Sequence, residues 1–257
     1  MDLELKGKVA LVTGGSRGLG RAICLGLASE GVNVAVNYYK SDKAEEAKAA
    51  DLTAEIQNKY KTKAIPLPGD VTLKEDIEEM FETIKDTFGQ VDILVNNAGI
   101  WPTSYVSDMK KEEWDNTIDV NLTGPFLLCQ KMVCHLIKIK RPGKIINIVS
   151  QAAFRGSTSG HAHYAAAKAG LVAFTVSLAR EVASYGINVN AVAPGMMKTD
   201  MAQKALKKRN DAYIERIPLG RIAEPAEVAN VVVFLASEKS GYMTGATLDV
   251  TGGMLMR

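Results

Sequence analysis

Tyr164 and Lys168 stand four residues apart in Tyr164-Ala165-Ala166-Ala167-Lys168. On a helix that spacing puts a phenol and an ammonium on one face. A free phenol titrates near 10, and lowering it to about 7 takes roughly 4 kcal/mol. One cation at about 4–5 Å, in an effective dielectric near 20, supplies roughly 3–4 kcal/mol. The spacing therefore predicts a phenol acidified by Lys168 and able to give a proton to an oxygen that gains charge. Chance alone also produces such pairs, so the weight falls on Ser150, which closes the run Lys144-Ile-Ile-Asn-Ile-Val149. A hydroxyl at the carboxyl end of a strand faces the crevice where open α/β sheets bind ligands, and it needs no shifted pKa to meet developing charge.

A second constellation follows the first apolar run. Thr13-Gly-Gly-Ser-Arg-Gly-Leu-Gly20 has the pattern TGxxxGxG and leads into the helical stretch Ala22, Ile23, Leu25 and Leu27. Small residues there let the turn stay tight and the backbone approach a pyrophosphate, while the helix N-terminus offers free N–H groups and partial positive charge. Gly14, Ser16, Arg17, Gly18, Leu19 and Gly20 are therefore candidate dinucleotide contacts. An acidic residue at the end of the second strand would select NAD through the ribose hydroxyls. This chain has Val36-Asn37-Tyr38-Tyr39-Lys40-Ser41 and no carboxylate until Asp42. Arg17 and Lys40 could both face a 2′-phosphate, which predicts NADP(H) as the preferred cofactor with NAD(H) as the other choice. Tyr38 and Tyr39 join the candidate contacts.

These groups need a frame, and the apolar runs describe one. Val9–Val12, Val32–Val36, Ala64–Leu67, Val91–Val95, Lys144–Val149, Ile187–Val192 and Thr247–Val250 are spaced to leave room for a helix between each pair. Ile77, Met80, Phe81, Ile84 and Phe88 form one apolar helical stripe. Alternating strands and helices predict an α/β fold: a Rossmann-type doubly wound parallel sheet of about seven strands, with helices on both faces. No linker or repeat divides residues 1–257, so one domain is expected. With 31 Lys plus Arg against 29 Asp plus Glu, the net charge of +2 gives no basic field for nucleic acid. The three cysteines show no CxxC pair, so neither a disulfide framework nor a metal site is expected. Cys129 and Cys134 read as packing residues. No signal-peptide pattern or membrane-length apolar run is seen, which fits a cytoplasmic protein.

These motifs resemble the short-chain dehydrogenase/reductase family from about Gly7 to Met256. They are Thr13–Gly20, Asp70-Val71, Asn96-Asn97-Ala98-Gly99, Asn121, Ser150, Tyr164-xxx-Lys168 and Pro194-Gly195. Within the family, Tyr164–Leu171, Ile217–Arg221 and the tail from Phe234 to Met254 look most like the 3-oxoacyl-(acyl-carrier-protein) reductases. The resemblance implies catalytic roles for Asn121, Ser150, Tyr164 and Lys168. Ser150 would bind the substrate carbonyl, Tyr164 would donate its proton, Lys168 would hold the nicotinamide ribose, and Asn121 would complete a proton relay. It also implies that Asp70 and Val71 flank the adenine, and that Asn97, Ala98 and Gly99 line its ribose. Pro194, Gly195 and Thr199 would hold the nicotinamide carboxamide. A homotetramer is the family's usual assembly.

Two departures bear on the substrate. The stretch Gln151–His163 is one residue longer than the acyl-carrier form, and its His163-Tyr164 pair resembles the glucose dehydrogenase branch. Arg141 matches a basic position for docking an acidic carrier, whereas Tyr185 stands where such a cation is usual. The expected activity is NADPH-dependent reduction of a 3-oxoacyl thioester carried by acyl carrier protein or coenzyme A. The alternatives are a dehydrogenase of a sugar, polyol, steroid or other secondary alcohol, or a catalytically idle nucleotide-binding protein. His161 and His163 read as loop or substrate-edge residues, and Trp101 either borders the substrate or packs on the surface. Residues 196–218, with Lys198, Lys204, Lys207, Lys208 and Arg209, are expected to form a substrate lid.

Overall fold

The structure is a computed structural model that describes residues 2–157, 159–200, 211 and 214–257. Its elements in chain order are β1 Val9–Val12, α1 Gly18–Ser29, β2 Asn33–Tyr38, α2 Lys43–Tyr60, β3 Ala64–Pro68, α3 Lys74–Phe88, β4 Ile93–Asn96 and α4 Lys111–Ile118. A π-helical turn, Asp119–Thr123, joins α4 to α5 Gly124–Ile139. There follow β5 Gly143–Ile148, α6 Ala152–Arg155, α7 Ala162–Val182, β6 Ile187–Pro194, α8 Pro225–Ala236 and β7 Thr247–Val250. All seven apolar runs are strands, with ends shifted by a residue or two from those read in the sequence.

Every residue of β1 and of β5 is buried, as strands covered on both faces require. The described strands form one parallel seven-stranded sheet in the order β3-β2-β1-β4-β5-β6-β7. Pro66 and Pro68 are tolerated because β3 lies at the sheet edge, where a missing N–H leaves no ladder bond unmade. Side chains of β1 alternate between two cores: Ala10 and Val12 meet α1, α2 and α8, while Val9 and Leu11 meet α3, α5 and α7. The predicted stripe on α3 is buried at Ile77, Met80, Phe81 and Ile84. Cys24 and Cys129 are buried, but Cys134 lies on the exposed side of α5, because only part of an amphipathic helix meets the sheet. No helix among the described residues is long and apolar enough to cross a membrane.

Strand order reverses between β1 and β4, so their carboxyl ends splay apart into a crevice. The turn after β1 closes this crevice only because Gly14 and Gly18 adopt φ of +57° and +54°. Gly20 is constrained differently. A Cβ there would overlap the Gly14 carbonyl oxygen and stand 2.7 Å from Asn97 Nδ2. Gly20→Ala is therefore expected to lower unfolding free energy by about 3 kcal/mol, as urea denaturation would register; a loss below about 0.5 kcal/mol would contradict this packing.

Candidate active site

One cleft of about 840 Å³ follows the carboxyl edge of the sheet, and the candidate catalytic and dinucleotide-contact residues named above line it, Lys40 excepted. Its floor is braced before any ligand is considered. Thr13 Oγ1 accepts from the backbone N–H groups of Asn97 and Ala98, each at 3.0 Å. Asn97 Nδ2 returns bonds to the carbonyls of Thr13 at 2.9 Å and Gly14 at 3.0 Å. Asn97 thus ties the β4 loop to the glycine turn. Asn37, buried in β2, does the same from the other side. Its Oδ1 accepts from Gly14 N at 3.2 Å, and its Nδ2 donates to Gly69 O at 3.1 Å.

At this end Arg17 lines the cleft and is ion-paired within the protein. Arg17 Nε lies 3.0 Å from Glu45 of α2. Lys40, expected to face a 2′-phosphate, is drawn instead to Asp76 at 2.7 Å and does not line the cleft. The cause is a local sink of negative charge: Asp76 is buried, and its other oxygen accepts from Asp70 N at 2.7 Å. Asp70 in turn accepts from Thr72 N and Oγ1, at 2.9 and 2.7 Å. Asn37, Glu45 and Asp76 were missed in the sequence because each acts through contacts between elements distant along the chain.

The other end brings Ser150, Tyr164, Lys168 and Asn121 together. Ser150 follows β5, just beyond Ile148 and Val149, and accepts from Ala152 N at 3.2 Å; it also shares a hydrogen bond with the Tyr164 phenol. Lys168 is one turn along α7 and is buried. Its Nζ lies 5.8 Å from the centre of the Tyr164 ring and donates to the Ile148 carbonyl at 2.8 Å. Asn121 sits in the π-helical turn, where the widened backbone lets its Nδ2 reach the carbonyls of Ile100 at 3.0 Å and Thr117 at 2.9 Å. Asn121 Oδ1 is buried and has no partner among the described residues.

The expected acidic phenol is not what this geometry produces. Burial pushes the Tyr164 phenol above its ordinary value, and the Ser150 hydrogen bond only partly opposes it. Burial also pulls the Lys168 ammonium down to about 8. Desolvation penalises both charged forms, and the ammonium engages the Ile148 carbonyl rather than the phenol oxygen.

Trp101 borders the cleft, stacked 4.5 Å from His161 and 6.5 Å from the Tyr164 ring. His161 Nδ1 lies 2.7 Å from the Pro102 carbonyl and pins the loop after β4 to the start of α7. His163 is buried with neither ring nitrogen partnered among the described residues, and burial keeps it below the ordinary imidazole range. Arg155, whose guanidinium donates to the Met254 carbonyl, and Arg216 line the mouth. Arg141 and Tyr185 precede β5 and β6 and so sit at the opposite edge of the sheet. Of the expected lid, residues 196–200, 211 and 214–218 are described, and Lys198 pairs with Glu224. Lys204, Lys207, Lys208 and Arg209 lie outside the described residues.

Residues 14–255 match the family profile described as enoyl-(acyl carrier protein) reductase. A 3-oxoacyl-(acyl-carrier-protein) reductase of Staphylococcus epidermidis is 45% identical over 97% of this chain and 99% of its own. One from Aquifex aeolicus is 44% identical over 99% and 100%. A solved short-chain dehydrogenase/reductase from Mycobacterium marinum superposes with a TM-score of 0.93 at 32% identity, covering 100% of this chain and 98% of that one. The chain is a short-chain dehydrogenase/reductase. It is therefore an oxidoreductase that uses a nicotinamide cofactor.

The cleft of this short-chain dehydrogenase/reductase fits such a cofactor. No side chain among the described residues caps the N-terminus of α1, whose first turn carries no acid, so its N–H groups remain available to an anion. The buried cation at the far end makes a prediction that is independent of substrate. Between about 8 and its ordinary value of 10.5, Lys168 is neutral when folded and protonated when unfolded. The unfolded state then binds more protons, so stability rises with pH. Relative to Lys168→Met, the unfolding free energy should climb by about 1.4 kcal/mol per pH unit in that window; a constant difference in urea titrations would contradict the burial argument.

Proposed function

We propose that this enzyme reduces the 3-oxo group of an acyl thioester to the 3-hydroxy form with NADPH. The reading is carried by the full-length likeness to 3-oxoacyl-(acyl-carrier-protein) reductases, together with a cleft in which Ser150 and Tyr164 are hydrogen-bonded. The turn amides from Gly14 to Gly20 cradle the pyrophosphate, with Ser16, Gly18 and Leu19 on its wall. Arg17 faces the 2′-phosphate beside Tyr38 and Tyr39. Asp70 and Val71 flank the adenine, Ala98 and Gly99 run along the ribose over the strut that Asn97 supplies, and Lys168 holds the nicotinamide ribose. Pro194, Gly195 and Thr199 hold the carboxamide.

A reduced nicotinamide bound there supplies a hydride to the carbonyl carbon. The protein handles the oxygen. Ser150 orients it by hydrogen bonding, and Tyr164 gives up its phenol proton as negative charge develops. A phenol held above its ordinary pKa stays protonated through the neutral range, which keeps the donor loaded. The Lys168 ammonium stabilises the phenolate that remains. Asn121 Oδ1, a buried acceptor without a protein partner, is suited to hold a water that returns the proton. Arg155 and Arg216 at the mouth suit the phosphate of a pantetheine arm, whether borne by acyl carrier protein or by coenzyme A.

The test is NADPH oxidation with acetoacetyl thioesters, run beside sugar, polyol and steroid alcohols with NADP⁺ and NAD⁺. Thioester turnover is expected to dominate; turnover confined to an alcohol would replace this reading with a dehydrogenase. Tyr164→Phe should lower kcat by about 10²–10⁴-fold while the NADPH dissociation constant stays within about twofold. Retained turnover would reject Tyr164 as the donor.

A further inference from the structure

The adenosine end of the cleft contains an anion of the protein's own. Glu45, in the first turn of α2, lines the cleft with its side chain only 13% exposed. One carboxylate oxygen accepts from the Ser16 hydroxyl. The other lies 3.0 Å from Arg17 Nε and accepts from Lys48 Nζ at 2.9 Å. Burial alone would raise its pKa, but the bonds from Ser16 and Lys48 and the Arg17 charge hold it below the ordinary carboxylate range. Glu45 is thus ionised at neutral pH.

Ser16 and Arg17 are the donors that a cofactor 2′-phosphate would seek. We propose that Glu45 is the specificity-determining residue of this pocket, an internal competitor that occupies those donors and limits the preference for NADPH over NADH. The inference rests on reading Arg17 as the partner of the 2′-phosphate. The exchange is physically feasible because Arg17 is 42% exposed and can turn away from α2. Lys48 keeps Glu45 paired when it does, so the carboxylate stays ionised beside the incoming phosphate. NADPH must then part Arg17 from Glu45 and accept a nearby like charge. NADH, with no 2′-phosphate, meets neither demand. Asp42 also lines this end, but its carboxylate caps α2 by accepting from Ala44 N and Glu45 N.

The experiment is calorimetric binding of NADPH, NADH, 2′,5′-ADP and 5′-AMP to the wild type, Glu45→Gln, Arg17→Ala and the double variant. Glu45→Gln is expected to tighten NADPH and 2′,5′-ADP by about tenfold. NADH and 5′-AMP should change by less than about twofold, and the gain should vanish in the Arg17→Ala background. Unchanged or weaker NADPH binding by Glu45→Gln, with Arg17→Ala still selective against NADPH, would overturn the role of Glu45 alone. That result would make the carboxylate a brace that aims Arg17. Equal losses of NADPH and NADH on Arg17→Ala would overturn the 2′-phosphate reading, and this inference with it.

Discussion

Lys168 carries an ammonium into the interior at the point where β5 ends, and the Ile148 carbonyl at 2.8 Å is its hydrogen-bond acceptor there. A buried cation with no carboxylate beside it among the described residues is costly, and its pKa falls to about 8 as a result. The fold tolerates this because α7 is anchored along its length: Leu171, Thr175, Leu178 and Val182 continue the buried face on which Lys168 lies. The same burial that depresses the ammonium raises the Tyr164 phenol. At neutral pH the phenol is thereby kept protonated and uncharged, while Lys168 remains a cation held closer to deprotonation than a solvated lysine. Negative charge that develops on the phenol oxygen is met by this cation in a desolvated site, where the attraction is stronger than between solvated groups.

The opposite end of the cleft follows a different principle. There the backbone is the binding surface, and side chains serve to hold loops in place. Thr13, Asn37 and Asn97 together satisfy the polar groups where the β1, β2 and β4 loops converge. This leaves the first amides of α1 for a ligand. Asp76 extends the frame by binding Lys40 and the backbone of Asp70. A rigid polar scaffold at one end and a desolvated pair at the other divide the labour between holding a dinucleotide and transferring a proton.

Much of this was legible in the chain itself. The parallel sheet followed from Val- and Ile-rich runs, since strands buried on both faces need no alternation. The glycine turn and the Tyr164–Lys168 spacing were readable because they are local. What escaped was set by contacts between distant segments. Lys40 looked free to meet a phosphate, yet Asp76 lies within 2.7 Å in space and far along the chain. Glu45 carries no local signal in the sequence, because its contacts with Ser16 and Arg17 exist only once the first turn of α2 lies beside the glycine turn. The direction of the Tyr164 shift was also hidden, because Coulomb attraction can be guessed from spacing whereas desolvation depends on how deep α7 is buried.

The central claim is that burial, more than the neighbouring ammonium, governs the phenol in the free enzyme. Carbon-13 NMR of tyrosine labelled at Cζ, with Tyr164→Phe assigning the resonance, measures it directly. The account predicts that Tyr164 titrates above the ordinary value near 10 in the protein without added ligand. A midpoint well below that value would mean that Lys168 acidifies the phenol unaided, and would contradict the account.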